Sequence, residues 1–159
     1  MNKETKLRAR LTLADAKETL PNEVRIRYRK QLNNPDGTTT EQELVAEGVI
    51  VAETAEHIDL HRTDDKTDDH KLRIQRSVII SIDPSGEIEV LNALLLNVES
   101  ESDDEQWGNV YLDNVLAALP AGYSTTKFTD YLGSLEKRGL YHPRHGDDVG
   151  TWGQVKLAE

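Results

Sequence analysis

"FTDYLGSLEKRGLYHPR", Phe128 to Arg144, decides how the second half of this chain is read. Phe128, Tyr131, Leu132 and Leu135 fall at i, i+3, i+4 and i+7, which is one face of an α-helix. Ser124 stands ahead of them as N-cap, and Gly139 stands where a C′ residue relieves left-handed strain. Lys137 and Arg138 occupy the last turn, where cations favour the open carbonyls. The spacing therefore predicts a helix that stops at Gly139 and runs into an extended segment. With the apolar face turned inward, Thr125, Thr126, Lys127, Thr129 and Asp130 look outward.

Upstream, "WGNVYLDNVLAAL" reads as a helix with Val110, Leu112 or Val115, Leu116 and Leu119 on one face, stopped by "PAGY". Downstream, the polar turn "HGDDVG" leads to the extended "TWGQVKL". Helix, turn, helix ending in "LEKRGL", then a hairpin closing on an alternating "VKL" resembles a winged helix, such as the MarR-like regulators. The likeness lies in Ser134 to Leu157, within the last third of the chain. It implies that Thr125, Thr126, Lys127, Thr129 and Asp130 are recognition positions, and that Arg144 and His145 sit on the wing. A complete winged helix has three helices; the third falls to "LNALLLNV" (Leu91 to Val98), equally readable as strand, or is absent. Winged helices contact either DNA or protein partners. Lys127 is the one strong phosphate partner near the start of the helix, and Asp130 and Glu136 accompany it, whereas DNA readers bring several Arg or Lys to the backbone.

The first half is a series of strands. "LTLADAKETL", with Thr12 as N-cap, predicts a short helix ending before Pro21. "EVRIRYRKQ" alternates with period two, Val24, Ile26 and Tyr28 on one face and Arg25, Arg27 and Arg29 on the other. "NNPDGTTT" is turn chemistry. A second strand covers Gln42 to Glu53 with a bulge or bend at Gly48, "HIDL" follows, and a bend near Arg76 or Ser77 divides "LRIQRSVIISID". "DPSGE" reads as a turn and "EIEVL" as renewed strand. The segment 43 to 83, preceded by a short helix, resembles the Sm-like and SH3-like small barrels. Asp59 falls near the loop Asp of RNA-binding Sm proteins, but no "NG" signature follows the fourth strand, so ring-type RNA binding is not expected.

The chain has 159 residues, a hydrophobic fraction of 36%, a net charge of -10 and no cysteine. Its mean hydropathy is -0.62. Apolar surface must be concentrated on a few elements, and a partner or self-association can supply missing burial. Without cysteine there are no disulfides and no thiolate chemistry, which suits a cytoplasmic protein. Neither a signal peptide nor a membrane span is legible. The acidic excess opposes general affinity for a polyanion, so nucleic-acid contact has to be local. Two acidic runs, 64 to 69 and 99 to 105, read as solvated loops.

The stripe Arg25, Arg27 and Arg29 is the strongest local positive feature, set to bind phosphate or an acidic segment, or else to pair across the sheet with Glu43 and Glu47. His57, Asp59 and His61 share a strand side, but about 7 Å between alternate side chains is wide for one metal ion. "YHPRHGDD" is a polar turn tip. No phosphate loop, nucleophile elbow or helical His-Glu motif occurs, so no catalytic, cofactor or metal residue is assigned.

The expected fold class is α+β: a small β-barrel-like lobe over 11–90, an acidic linker over 91–106, and a winged-helix-like unit over 107–159. The expected function is that of a non-enzymatic regulatory or adaptor protein binding DNA or a protein partner, with no cofactor, small-molecule substrate or membrane. The alternatives are an acidic inhibitor that mimics nucleic acid, as phage anti-defence proteins do, or a structural subunit of a larger assembly.

Overall fold

In the computed structural model, described for residues 2–63, 71–102, 106–144 and 152–158, helices and antiparallel strands form two units. The fold class is α+β. The first unit combines residues 1–21 with 86–159, and the second is the insertion 22–85. This division differs from one at 90 and 106, because the first helix and the "linker" are core elements of the C-terminal unit. His145, Asp147, Asp148 and the acidic run 64 to 69 lie outside the described residues.

The inserted unit is a five-stranded sheet. Its strands are β1 (Glu23–Asn33), β2 (Thr39–Glu53), β3 (His57–Arg62), β4 (Lys71–Gln75) and β5 (Ile79–Pro84), in the order β4-β3-β2-β1-β5. Alternation in β1 buries Val24 and Ile26, which meet Ala46, Ile58, Leu60 and Ile74 in a compact core. The bend after β4 is a 3-10 turn over Arg76–Val78. At Gly48 the backbone of His61 comes so close that an added Cβ would stand 2.8 Å from its carbonyl carbon. The register shift of β2 lies further on, between Ile50 and Ala52. Val24 pairs with Pro84, so the two ends of the insertion leave side by side.

The other unit contains α1 (Lys3–Thr19), α2 (Gly86–Leu96), β6 (Ser100–Glu101), β7 (Trp107–Tyr111), α3 (Leu112–Ala118), α4 (Thr125–Lys137), β8 (Tyr141–Pro143) and β9 (Trp152–Lys156). Its sheet runs β6-β7-β9-β8. Four local readings differ from the structure. The N-cap of α1 is Asn2, whose side chain accepts from the Thr5 amide at 2.7 Å, while Thr12 is buried inside the helix and its Oγ1 accepts from the Ala158 amide at 2.8 Å. "EIEVL" begins α2 rather than a strand: Ile88, Val90, Leu91, Ala93, Leu94 and Leu95 are all buried, so helical packing outweighs the strand-like alternation of three residues. "WGNVY" is a strand, with Gly108 and Val110 buried, and only the following residues turn helical. Glu101 is no solvated loop residue, since it accepts from Thr5 Oγ1 and pairs with Arg8 at 3.4 Å. No helix among the described residues is long and apolar enough to cross a membrane.

Candidate functional site

Capping delimits α4 at both ends. Ser124 Oγ accepts from the Lys127 amide at 3.3 Å. Gly139 takes φ of 75°; its amide donates to Glu136 at 3.0 Å, and the Leu140 amide reaches back to the Leu135 carbonyl at 2.9 Å. This is the double closure that a left-handed residue permits. Phe128, Leu132 and Leu135 are buried and Tyr131 packs beside them. The opposite edge carries Thr125, Thr126, Lys127, Thr129 and Asp130, all exposed. The end of α4 is fixed to the start of α2 by an ion pair of 2.8 Å between Arg138 and Glu87.

Beyond α4 the chain enters the sheet, whose outer face was not legible as a site. Two similar tetrapeptides, "WGNV" from Trp107 and "WGQV" from Trp152, lie antiparallel with Asn109 opposite Gln154. Gly and Val of each are buried; Trp107, Asn109 and Trp152 on the alternate side are partly exposed, and Gln154 beside them is buried. A polar row results: Gln154 Nε2 donates to Asn109 Oδ1 at 2.8 Å, and Asn109 Nδ2 donates to Ser100 Oγ at 3.0 Å. The Trp107 ring lies 4.6 Å from the His142 ring at a tilt of 40°, and the Arg144 guanidinium lies 5.8 Å over Trp152. A recess of about 490 Å³ is bounded by these groups. The repeat of tryptophan, glycine, amide and valine was the sequence signal for this pairing. Arg144 is thus brought to an aromatic and polar surface, and His145 lies outside the described residues.

Tyr141 is buried on the inner side, and burial, with a smaller contribution from Glu136, pushes its hydroxyl up to about 12.

The basic stripe on β1 is engaged across the sheet. Arg25 Nε donates to Glu47 at 2.7 Å, Arg27 Nε donates to Glu43 at 2.8 Å, and Arg29 stands opposite Glu43 in register. Between β4 and β3, Arg73 donates to Asp59 at 2.8 Å and holds its carboxyl below the usual range. His57 Nε2 lies 3.9 Å from the same carboxylate. No cluster of metal-binding side chains occurs among the described residues.

No family model, curated protein or solved structure matches this chain.

Proposed function

We propose that this protein is a non-enzymatic regulatory or adaptor protein whose C-terminal unit is winged-helix-like and makes its contact through the exposed edge of α4. The observation that carries the reading is the division of α4 into a sealed face, Phe128, Leu132 and Leu135, and an exposed edge, Thr125 to Lys127 with Thr129 and Asp130. The element order supports it: apart from the two-residue β6, which adds an edge strand, α2, β7, α3, α4, β8 and β9 succeed one another as three helices and three strands do in a winged helix, with β9 between β7 and β8. α2 supplies the helix that "LNALLLNV" left open. The five-stranded order and the 3-10 turn before β5 support a small-barrel reading of the insertion.

DNA is one of two targets for this edge, with threonine side chains and Lys127 on the helix and Arg144 after the end of β8. Binding of a labelled duplex at low salt, followed by a salt titration, tests it. Steep loss of affinity with salt, abolished by Lys127→Glu and Arg144→Glu, is the expected result. A second reading, a protein partner at the same edge, is favoured by exposed Asp130 and Glu136 on α4 and by the net charge of -10. Absence of duplex binding at every salt concentration leaves the protein-partner reading.

A further inference from the structure

Both tryptophans of the chain, Trp107 and Trp152, stand at the recess on the outer face of the β6-β7-β9-β8 sheet. They occupy diagonal ends of the β7–β9 pair, with Trp107 opposite Lys156 and Trp152 opposite Tyr111. Alternate side chains on a strand are about 7 Å apart, so Asn109 and Gln154 lie midway between the two indoles. The register extends to the outer strands, because Ser100 is opposite Asn109 and His142 is opposite Gln154. A polar row therefore crosses the whole sheet between two aromatic side chains.

The hydrogen bonds of the row run in one direction. Gln154 Nε2 donates to Asn109 Oδ1, and Asn109 Nδ2 donates to Ser100 Oγ. The oxygen at the head of the chain, Gln154 Oε1, accepts from no described residue, although Gln154 is only 6% exposed. A buried amide oxygen is normally matched by a donor, and this one belongs to a wall of the recess, where a ligand N–H can meet it. The rest of the wall is rich in donors. Neither indole N–H is used by a described residue, and the Arg144 guanidinium over Trp152 forms no ion pair with one. Glu101, the carboxylate at the rim, is already engaged by Thr5 and Arg8.

These groups select a chemistry. Indole faces attract flat rings, and a donor-rich wall with a guanidinium attracts an anion rich in acceptors. A neutral sugar, whose hydroxyls donate as readily as they accept, fits less well, because the one carboxylate lining the recess is taken. We infer that the recess binds a nucleotide, free or as an unpaired residue of a single strand. The base stacks on an indole, a base N–H donates to Gln154 Oε1, and the phosphate meets Arg144. A volume of about 490 Å³ is ample for one such unit. A ligand with one phosphate also suffers little from the net charge of -10. Arg144 apart, the site shares no residue with the α4 edge and does not rest on what that edge contacts.

Because the chain has no other tryptophan, its intrinsic emission reports on this recess alone. Titration of the full chain with adenosine, cytidine, guanosine and uridine monophosphates, and with a short single strand of mixed sequence, tests the proposal. Saturable quenching is the expected result, with affinity about tenfold lower in Gln154→Leu and in Arg144→Gln. Tighter binding of the strand than of any monophosphate identifies an unpaired segment as the source, and equal affinity identifies a free nucleotide; both support the site. Emission unchanged by every one of these probes overturns the inference. So does equal quenching by inorganic phosphate, or binding that persists undiminished in both variants. Should Gln154→Leu fail to fold, Arg144→Gln still decides, since that side chain is exposed.

Discussion

The ring of Tyr141 fills the space in which a side chain on Gly153 would stand: a Cβ added at Gly153 would lie 2.6 Å from the Tyr141 ring carbon Cε2. The two residues sit diagonally across the β8–β9 pair, where Tyr141 is opposite Val155 and Pro143 is opposite Gly153. The aromatic side chain of one strand thus requires glycine in the next. Gly153→Ala is expected to cost about 1–3 kcal/mol through overpacking. Urea denaturation measures it, and a variant as stable as the parent would place the ring elsewhere.

The same tyrosine gives the protein an alkaline limit. Its folded value of about 12 lies above the ordinary tyrosine value of 10.0. A group raised on folding stabilises fully below its unfolded value and loses that contribution as pH climbs through the folded one. Stability is therefore expected to decline between pH 10 and about 12. The decline should be shallower in Tyr141→Phe, read from denaturation midpoints across that range.

In the inserted unit, Gly48 meets backbone rather than side chain, since its added Cβ would stand 2.9 Å from the Arg62 Cα. Backbone cannot rotate aside, so Gly48→Ala should cost more than Gly153→Ala and act on β2 and β3. Hydrogen exchange at the β3 amides is the local measure. Protection equal to that of the parent would refute the close approach.

Arg138 and Glu87 join the end of α4 to the start of α2. Because the arginine is partly exposed, solvent screens the pair, and a double-mutant cycle of Arg138→Ala with Glu87→Ala should give a coupling of about 0.5 kcal/mol. A coupling of zero would mean that the two helices are held by Leu91, Leu94 and their neighbours alone.

Ser124→Ala removes the acceptor for the Lys127 amide and should destabilise by about 1 kcal/mol, with Ser124→Asp retaining most of it. Thermal unfolding separates the two. Equal loss in both variants would show that the cap does not depend on an acceptor.

The helix at Phe128 to Lys137 was determined by sequence alone, because a serine cap, a glycine stop and a four-residue apolar face all act within about four turns of chain. The same holds for the strand at Val24 to Tyr28, whose alternation is local. The role of α1 was not legible: its inner residues are alanine and threonine, and only contact with residues as distant as Glu101 and Ala158 shows which side is buried. "EIEVL" alternated like a strand until the leucines after it fixed a helical face. Nothing local marks the glycines at 108 and 153, and only the tertiary structure shows them beside the space that Val98 and Tyr141 occupy. Local periodicity decides which elements form, whereas burial of one element by a remote one depends on steric fit across the core, and that exists only once the chain has folded.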